Sequence, residues 1–341
     1  MEIKNVLVTG GVGYIGSHTV LSLIEHGYNP IIIDNLSNSS EKVLPRLEKI
    51  SSKKIKFYKG DVCNKEDLEV IFKENKIDAI IHFAGLKAVG ESVQKPVEYY
   101  RNNLDSTLTL LEEMLKYQIK NIIFSSSATV YGIPNHVPLT ESDPIGKATN
   151  PYGQTKIIQE GIFQDFSFVH KDYNICLLRY FNPIGAHPSG MIGEAPNGIP
   201  NNLMPYITQV AVGKREKLHI FGNDYNTPDG TCIRDYVHVC DLAEGHVLSL
   251  KKLAQEPGLV IYNLGTGKGT SVLELVHAYE KATGVKIPYQ IDARRPGDVE
   301  ANYAATTKAE KELGFKAKFS IEDSCRDSNN WQQHNPNGYD D

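Results

Sequence analysis

The sequence predicts an α/β fold: a doubly wound parallel sheet with a smaller C-terminal α/β lobe. Three observations point there. Short apolar runs, most of them rich in Val and Ile, end at Val8, Ile33, Tyr58, Phe83, Phe124 and Leu178, as expected of strands buried on both faces. Helix-like stretches over 14–26, 64–75, 96–117 and 151–170 alternate with them, which implies parallel strands joined by right-handed crossovers. After about residue 180 the alternation loosens.

The first run, Val6-Leu7-Val8, passes through Thr9 into a glycine loop with Gly10, Gly13 and Gly16. Such glycines give a tight turn, close backbone approach to a pyrophosphate, and close contact between helix and strand. The spacing alone is a weak signal; here it follows a first strand and opens a first helix, the context the motif requires. The second run ends in Asp34, 18 residues past Gly16, where a carboxylate meets the adenosine ribose hydroxyls and repels a 2′-phosphate. Its turn, with Asn35, Asn38 and Ser39, offers no arginine, so NAD is favoured over NADP. Asp61 and Val62 follow the third run, and Phe83, Ala84 and Gly85 end the fourth, further carboxyl ends where such a sheet binds its ligand.

The fifth run enters Ser125-Ser126-Ser127-Ala128-Thr129-Val130-Tyr131-Gly132, which sets the Ser127 hydroxyl at a strand end. Next comes Asn150-Pro151-Tyr152-Gly153-Gln154-Thr155-Lys156. Asn is a good N-cap and Pro suits the first helical position, so a helix opens here with Tyr152 and Lys156 on one face. A phenol with a pKa of about 10 is a poor base near neutrality, and a nearby ammonium favours its phenolate. Ser127, Tyr152 and Lys156 are therefore the candidate catalytic set beside a nicotinamide site.

The boundaries read as 1–180 and 181–341, with the chain returning to the first unit near 236–264. The Gly-, Pro- and Asn-rich segment 181–205 reads as ordered loop, followed by strands near 217–221, 232–238 and 259–263 and helices near 239–253 and 271–283. The tail 334–338 reads as a surface end. A net charge of −5 without a basic run argues against nucleic acid or anionic membrane as partner. The five cysteines are scattered without C-x-x-C, suggesting neither a disulfide framework nor a metal site, and a reducing compartment. No apolar run approaches the ~20 residues that span a bilayer, and Met1-Glu2-Ile3-Lys4-Asn5 leaves no room for a signal peptide. The expected location is cytoplasmic.

A resemblance runs from about residue 3 to the C-terminus. Its blocks are Gly10 to His18, Asp34 to Leu36, His82 to Ser92, Ser125 to Gly132, Arg179 to Pro183, Gly198 to Pro205, Arg234 to Val239, and Tyr262 to Gly265. They resemble the extended short-chain dehydrogenase/reductase superfamily, with its Rossmann-type sheet, and within it the UDP-glucose 4-epimerase family of galactose metabolism. The resemblance implies a homodimer formed through 96–117 and 151–170. It also implies a redox cycle without net redox: Tyr152 takes the proton of the sugar's 4-hydroxyl, hydride leaves carbon 4 for NAD, the 4-keto sugar swings over, and both return to its other face. Ser127 is then the residue that holds the 4-oxygen. Lys156 binds the nicotinamide ribose and lowers the Tyr152 pKa.

The same resemblance carries over Tyr14, Ile15, Asp61, Val62, Lys87, Asn102 and Phe181 to the cofactor. Asn182, Asn202 and Leu203 go to the nucleotide sugar, and Phe221 to its uracil. Arg234 and Arg295 are forks suited to a diphosphate, and Asp298 matches a residue near the UDP ribose. One position departs from the family. Where a tyrosine accompanies plain UDP-hexoses and a small residue accompanies N-acetylated sugars, this chain has Asn302, of intermediate size. Some activity on UDP-N-acetylglucosamine and UDP-N-acetylgalactosamine is the expectation. A 4,6-dehydratase would need adjacent Asp and Glu after the serine, where this chain has Ala128-Thr129. A net oxidoreductase remains a rival, and a non-catalytic NAD-binding protein would have no need of the complete set.

Overall fold

Six strands build most of the central sheet: β1 (Asn5–Thr9), β2 (Asn29–Asp34), β3 (Lys56–Lys59), β4 (Ala79–His82), β5 (Asn121–Ser127) and β6 (Asn174–Tyr180). Short strands β7 (Asn182–Ile184), β8 (Leu218–Phe221), β9 (Ile233–Arg234) and β10 (Tyr236–His238) follow, before β11 (Leu259–Leu264) completes it. In the computed structural model, which describes residues 2–295 and 297–340, the order is β11-β6-β5-β4-β1-β2-β3 and every pairing is parallel. The strand order reverses beside β1, which lies between β2 and β4. In such sheets the ligand crevice opens at that reversal, beyond the strands' carboxyl ends.

Alternate side chains of each strand go to opposite faces, which is why continuous apolar runs were needed. On one face Val6, Val8, Ile32 and Ile81 pack with α1 (Tyr14–Glu25) and α2 (Val43–Ser51). On the other, Leu7, Ile33, Ile80 and Phe124 pack with α3 (Lys65–Glu74), with α5 (Pro96–Tyr117), which follows the short α4 (Val89–Gln94), and with α6 (Pro151–Val169). The second core lies around α7 (Leu203–Ala211), β8 and α9 (Val272–Thr283), with Met204, Ile207, Ile220, Leu275 and Tyr279 buried. Between them, α8 (Val239–Leu253) packs against α1 and contributes Leu242, Val247 and Leu250 to the first core.

Three readings of the sequence change. The strand expected over 232–238 is broken at Asp235 into β9 and β10, because the Asp235 carboxylate turns into the molecule as an acceptor. The segment 181–205 is not all loop, since β7 pairs in parallel with β10 and α7 begins at Leu203. The tail is not a plain surface end. Asn335 and Tyr339 are buried, the Tyr339 hydroxyl donates to the Gly193 carbonyl (3.0 Å), and its ring packs against Trp331 of α11 (Ile321–His334), after α10 (Thr307–Leu313). Two small sheets, β12 (Thr270–Ser271) with β9 and β14 (Ala301–Asn302), and β13 (Tyr289–Asp292) with β8, complete the second core's edge.

Candidate active site

The glycine loop sits at the reversal beside β4. Gly10 has φ +69°, the left-handed region that favours glycine, and a Cβ there would lie 3.0 Å from the Ala84 backbone nitrogen. A Cβ at Gly13 would lie 3.2 Å from the Gly10 carbonyl oxygen, and one at Gly16 would overlap that oxygen. No side chain caps the N-terminus of α1. Such a side-chain-free cradle at a helix N-terminus fits a dinucleotide pyrophosphate. Ile15 packs on the first core from within α1.

Asp34 is buried at the end of β2 and accepts from Leu36 N (2.9 Å), Ser39 Oγ (2.8 Å) and Val12 N (3.3 Å). Asn35 donates to Asp61 Oδ2 (3.1 Å), so the ends of β2 and β3 converge. Asn38 is exposed on the same turn, and Val62 is buried behind Asp61. After β4, the Phe83 ring packs tilted against that of His246 (centroids 4.8 Å apart) and Gly85 is exposed. Asn102 on α5 donates to Asn103 Oδ1 (3.0 Å). Asn103, which the sequence did not single out, is buried and ties Leu86 to Thr155 of α6.

The helix start forms as its residues dictate: Asn150 Oδ1 accepts from Gly153 N (2.8 Å) and Pro151 fills the first turn. That places Tyr152 and Lys156 against the end of β5. Ser127, whose Oγ accepts from Thr129 N (3.2 Å), lies close enough to the Tyr152 phenol to lower its pKa. Lys156 Nζ donates to the Ser125 carbonyl (2.7 Å) and lies 4.6 Å from the Phe124 ring centroid and 5.9 Å from that of Tyr152. Burial is the larger effect on both groups. It raises the Tyr152 phenol above its ordinary value, with Ser127 opposing, so the net direction is opposite to the lowering by Lys156 expected from the sequence; it lowers the Lys156 ammonium to about 7, with Glu160 opposing. Thr129, next in line after Ser127, has a buried hydroxyl oxygen with no partner.

A second group of side chains gathers from β8, β9 and the 292–302 segment. Arg295 makes a two-point contact with Asp298 (2.9 and 3.2 Å) and lies 5.5 Å over the Phe221 ring. Arg234 donates to the Ile233 and Val299 carbonyls (2.8 Å each), with Asp298 at 3.8 Å. Asn302 pairs in register with Arg234, and its Oδ1 is buried without a partner. A third group bridges the two cores: Glu194 reaches Lys87 (3.5 Å) and Asn202 (2.9 Å), and Tyr14 donates to the Gly185 carbonyl (2.6 Å). Leu203 opens α7, Phe181 is buried against Ala128 and Tyr131, and Asn182 is exposed, its backbone donating to Asp235 O (2.8 Å). Nothing in the sequence signals Glu194. Among the described residues no cluster of three or more His, Cys, Asp or Glu side chains is placed to hold a metal ion.

Fold and site define a class: dinucleotide-dependent enzymes built on this doubly wound sheet with a serine, a tyrosine and a lysine at its crevice. Residues 7–328 match the family model described as GDP-mannose 4,6 dehydratase. The chain is 57% identical to the UDP-glucose 4-epimerase of Bacillus subtilis over 334 residues, 98% of each chain. It is 54% identical to that of Bos taurus over 342 residues, again 98% of each. The crystal structure of UDP-glucose 4-epimerase from Bifidobacterium longum in complex with NAD+ and UDP superposes with a TM-score of 0.95 at 56% identity, covering 98% of this chain and 100% of that one. The chain belongs to the family of that model and, by these relatives, to the UDP-glucose 4-epimerase family.

Gly16→Ala sets a methyl against the Gly10 carbonyl oxygen. It is expected to weaken dinucleotide affinity at least about tenfold, read by titrating nucleotide into the stripped protein; unchanged affinity would remove the loop from the site.

Proposed function

We propose that this protein interconverts UDP-glucose and UDP-galactose by oxidation and re-reduction at sugar carbon 4, as an NAD-dependent isomerase. The observation that carries the reading is the Ser127, Tyr152 and Lys156 grouping at the carboxyl end of β5, in the sheet that carries the glycine loop and in a chain this close to UDP-glucose 4-epimerases. When bound, NAD supplies the hydride acceptor, the hydride for return, and a positive ring that favours a phenolate beside it.

Tyr152 takes the proton of the 4-hydroxyl and later gives it back. A phenol raised by burial is held as the neutral acid, so it is suited to the return step; Ser127 opposes that rise, and the Lys156 ammonium, 5.9 Å from the ring, is the cation on hand for the phenolate of the first. Ser127 holds the 4-oxygen. Lys156, seated on the Ser125 carbonyl, holds a cofactor ribose and fixes the phenol's surroundings. Arg234 and Arg295 hold the diphosphate, with Phe221, Asp298, Asn182, Asn202 and Leu203 on the rest of the nucleotide sugar, so that the hexose turns while its anchor stays. Residues 1–180 serve as the NAD-binding unit, with Asp34, Asn35, Asn38, Ser39, Asp61 and Lys87 on the cofactor, and 181–341 as the UDP-sugar lobe. Five free cysteines and the absence, among the described residues, of a helix long and apolar enough to cross a membrane support a cytoplasmic location.

Tyr152→Phe is expected to cut interconversion about 10²- to 10⁴-fold; a rate within a few-fold of wild type overturns the mechanism. Reduced nicotinamide accumulating with turnover would instead identify a net oxidoreductase.

A second reading concerns the sugar's 2-substituent. The unpartnered Asn302 Oδ1 is an acceptor for an acetamido N–H. Turnover of UDP-N-acetylgalactosamine within about tenfold of UDP-galactose is the expected outcome; no detectable turnover removes Asn302 from that role.

A homodimer is supported by exposed apolar side chains on α4 and α5, with Val93 61% and Val97 74% exposed, and by Leu108 one helix face on. Sedimentation should give a dimer that Val97→Glu weakens; a wild-type monomer at micromolar concentration would refute it.

A further inference from the structure

The Tyr152 and Lys156 spacing continues by one more helical turn to Glu160, and the end of β5 meets all three. Ser127 lies by the Tyr152 phenol, the Ser125 carbonyl accepts from Lys156 (2.7 Å), and the Ser126 hydroxyl donates to Glu160 Oε1. Arg179 on β6 forks onto the same carboxylate, Nε to Oε1 at 3.0 Å and a terminal nitrogen to Oε2 at 2.7 Å. Side-chain exposures are 2% for Arg179 and 0% for Glu160. The guanidinium also donates to the Tyr131 hydroxyl (3.0 Å), which donates to Asn263 Oδ1 on β11 (2.6 Å). Glu160 is thus fixed from β5 and from β6, with a path on to β11.

A buried ion pair is a poor device for stability alone, since well-packed apolar residues of similar volume often replace one without loss. Here the pair lies one turn beyond the ammonium of the candidate catalytic set. We propose that Glu160, clamped by Arg179 and Ser126, is a positioning residue for the reaction: its carboxylate sustains the Lys156 ammonium against β5, and through it the charge balance at Tyr152. This rests on the reading of Tyr152 and Lys156 given above.

The surroundings of Lys156 support it. Burial drags the ammonium down to about 7, and Glu160 is the carboxylate that opposes this. From β4, His82 faces Lys156 but burial lowers it to about 3, so it stays neutral. From β5 come the Ser125 carbonyl and the Phe124 ring, both uncharged. From its own helix comes Tyr152, and Tyr180 of β6, a phenol kept protonated by burial, faces Tyr152. Among these groups Glu160 is the one that favours the ammonium, while the Arg179 guanidinium paired with it offsets part of its charge.

The test is the pH profile of interconversion by the NAD-loaded enzyme. Glu160→Gln removes the negative charge alone, and Glu160→Gln with Arg179→Gln removes both charges of the pair without stranding a guanidinium. Loss of the negative charge alone makes Lys156 give up its proton at lower pH, and removal of the whole pair does so less. In Glu160→Gln the alkaline limb should then move down by about half a pH unit or more. Glu160→Asp keeps the charge, so its limb should stay within a few tenths of wild type while the rate falls several-fold. A purely structural pair would lower the rate equally at every pH and leave the limb in place, and that result overturns the proposal. An alkaline limb that is unmoved while Tyr152→Phe abolishes turnover refutes only this inference; full activity in Tyr152→Phe refutes the reading it rests on.

Discussion

The site depends on how closely one turn of backbone approaches its neighbours. The Gly10 carbonyl lies where a side chain at Gly16 would sit, and Gly10 itself lies against the Ala84 backbone. That contact brings the uncapped end of α1 to the reversal of strand order and sets how near a cofactor would lie to β4 and β5. Everything downstream is measured from it: α6 is registered on β5 by the Lys156 and Glu160 bonds, and α5 is tied to α6 through Asn103.

A comparable constraint joins the second core to the first. Asp235 is buried and accepts from Thr266 N (2.8 Å), Thr266 Oγ1 (2.6 Å), Gly267 N (3.0 Å) and Ala304 N (3.1 Å). Burial raises its carboxyl while these donors oppose the rise. One side chain therefore fixes the turn after β11, the residue two beyond Asn302, and the backbone next to Arg234. The interruption of β9 and β10 is the geometric consequence of giving that carboxylate four donors.

What was legible in the sequence was whatever local physics decides. The runs ending at Val8, Ile33 and Phe124 became buried strands because both faces are covered, and the Asn150 cap and Pro151 opened α6 where expected. The glycine spacing was legible because glycine is required where backbone meets backbone. Long-range partners were not. Asp235 broke a strand, Glu194 bridged Lys87 and Asn202, and Tyr339 was drawn into the interior by Gly193 and Trp331, each through contacts far apart in the chain. The charge balance at Tyr152 was also out of reach, because burial is a property of the packed molecule. Glu160 stood in plain view four residues past Lys156, but its meaning needed Arg179 and Ser126 beside it.

The place of β11 has a consequence for synthesis. It pairs with β6 from Ile175 to Tyr180, all but the first residue of that strand, yet many residues separate the two in the chain, and α8, which covers α1, also comes after β6. While the chain emerges from the ribosome, β6 is an unprotected apolar edge and α1 lacks its cover. Such an edge is the kind that pairs with other chains. The early half of the molecule thus leaves the ribosome with one flank open, and the window for misassembly closes only when the later half folds back over it.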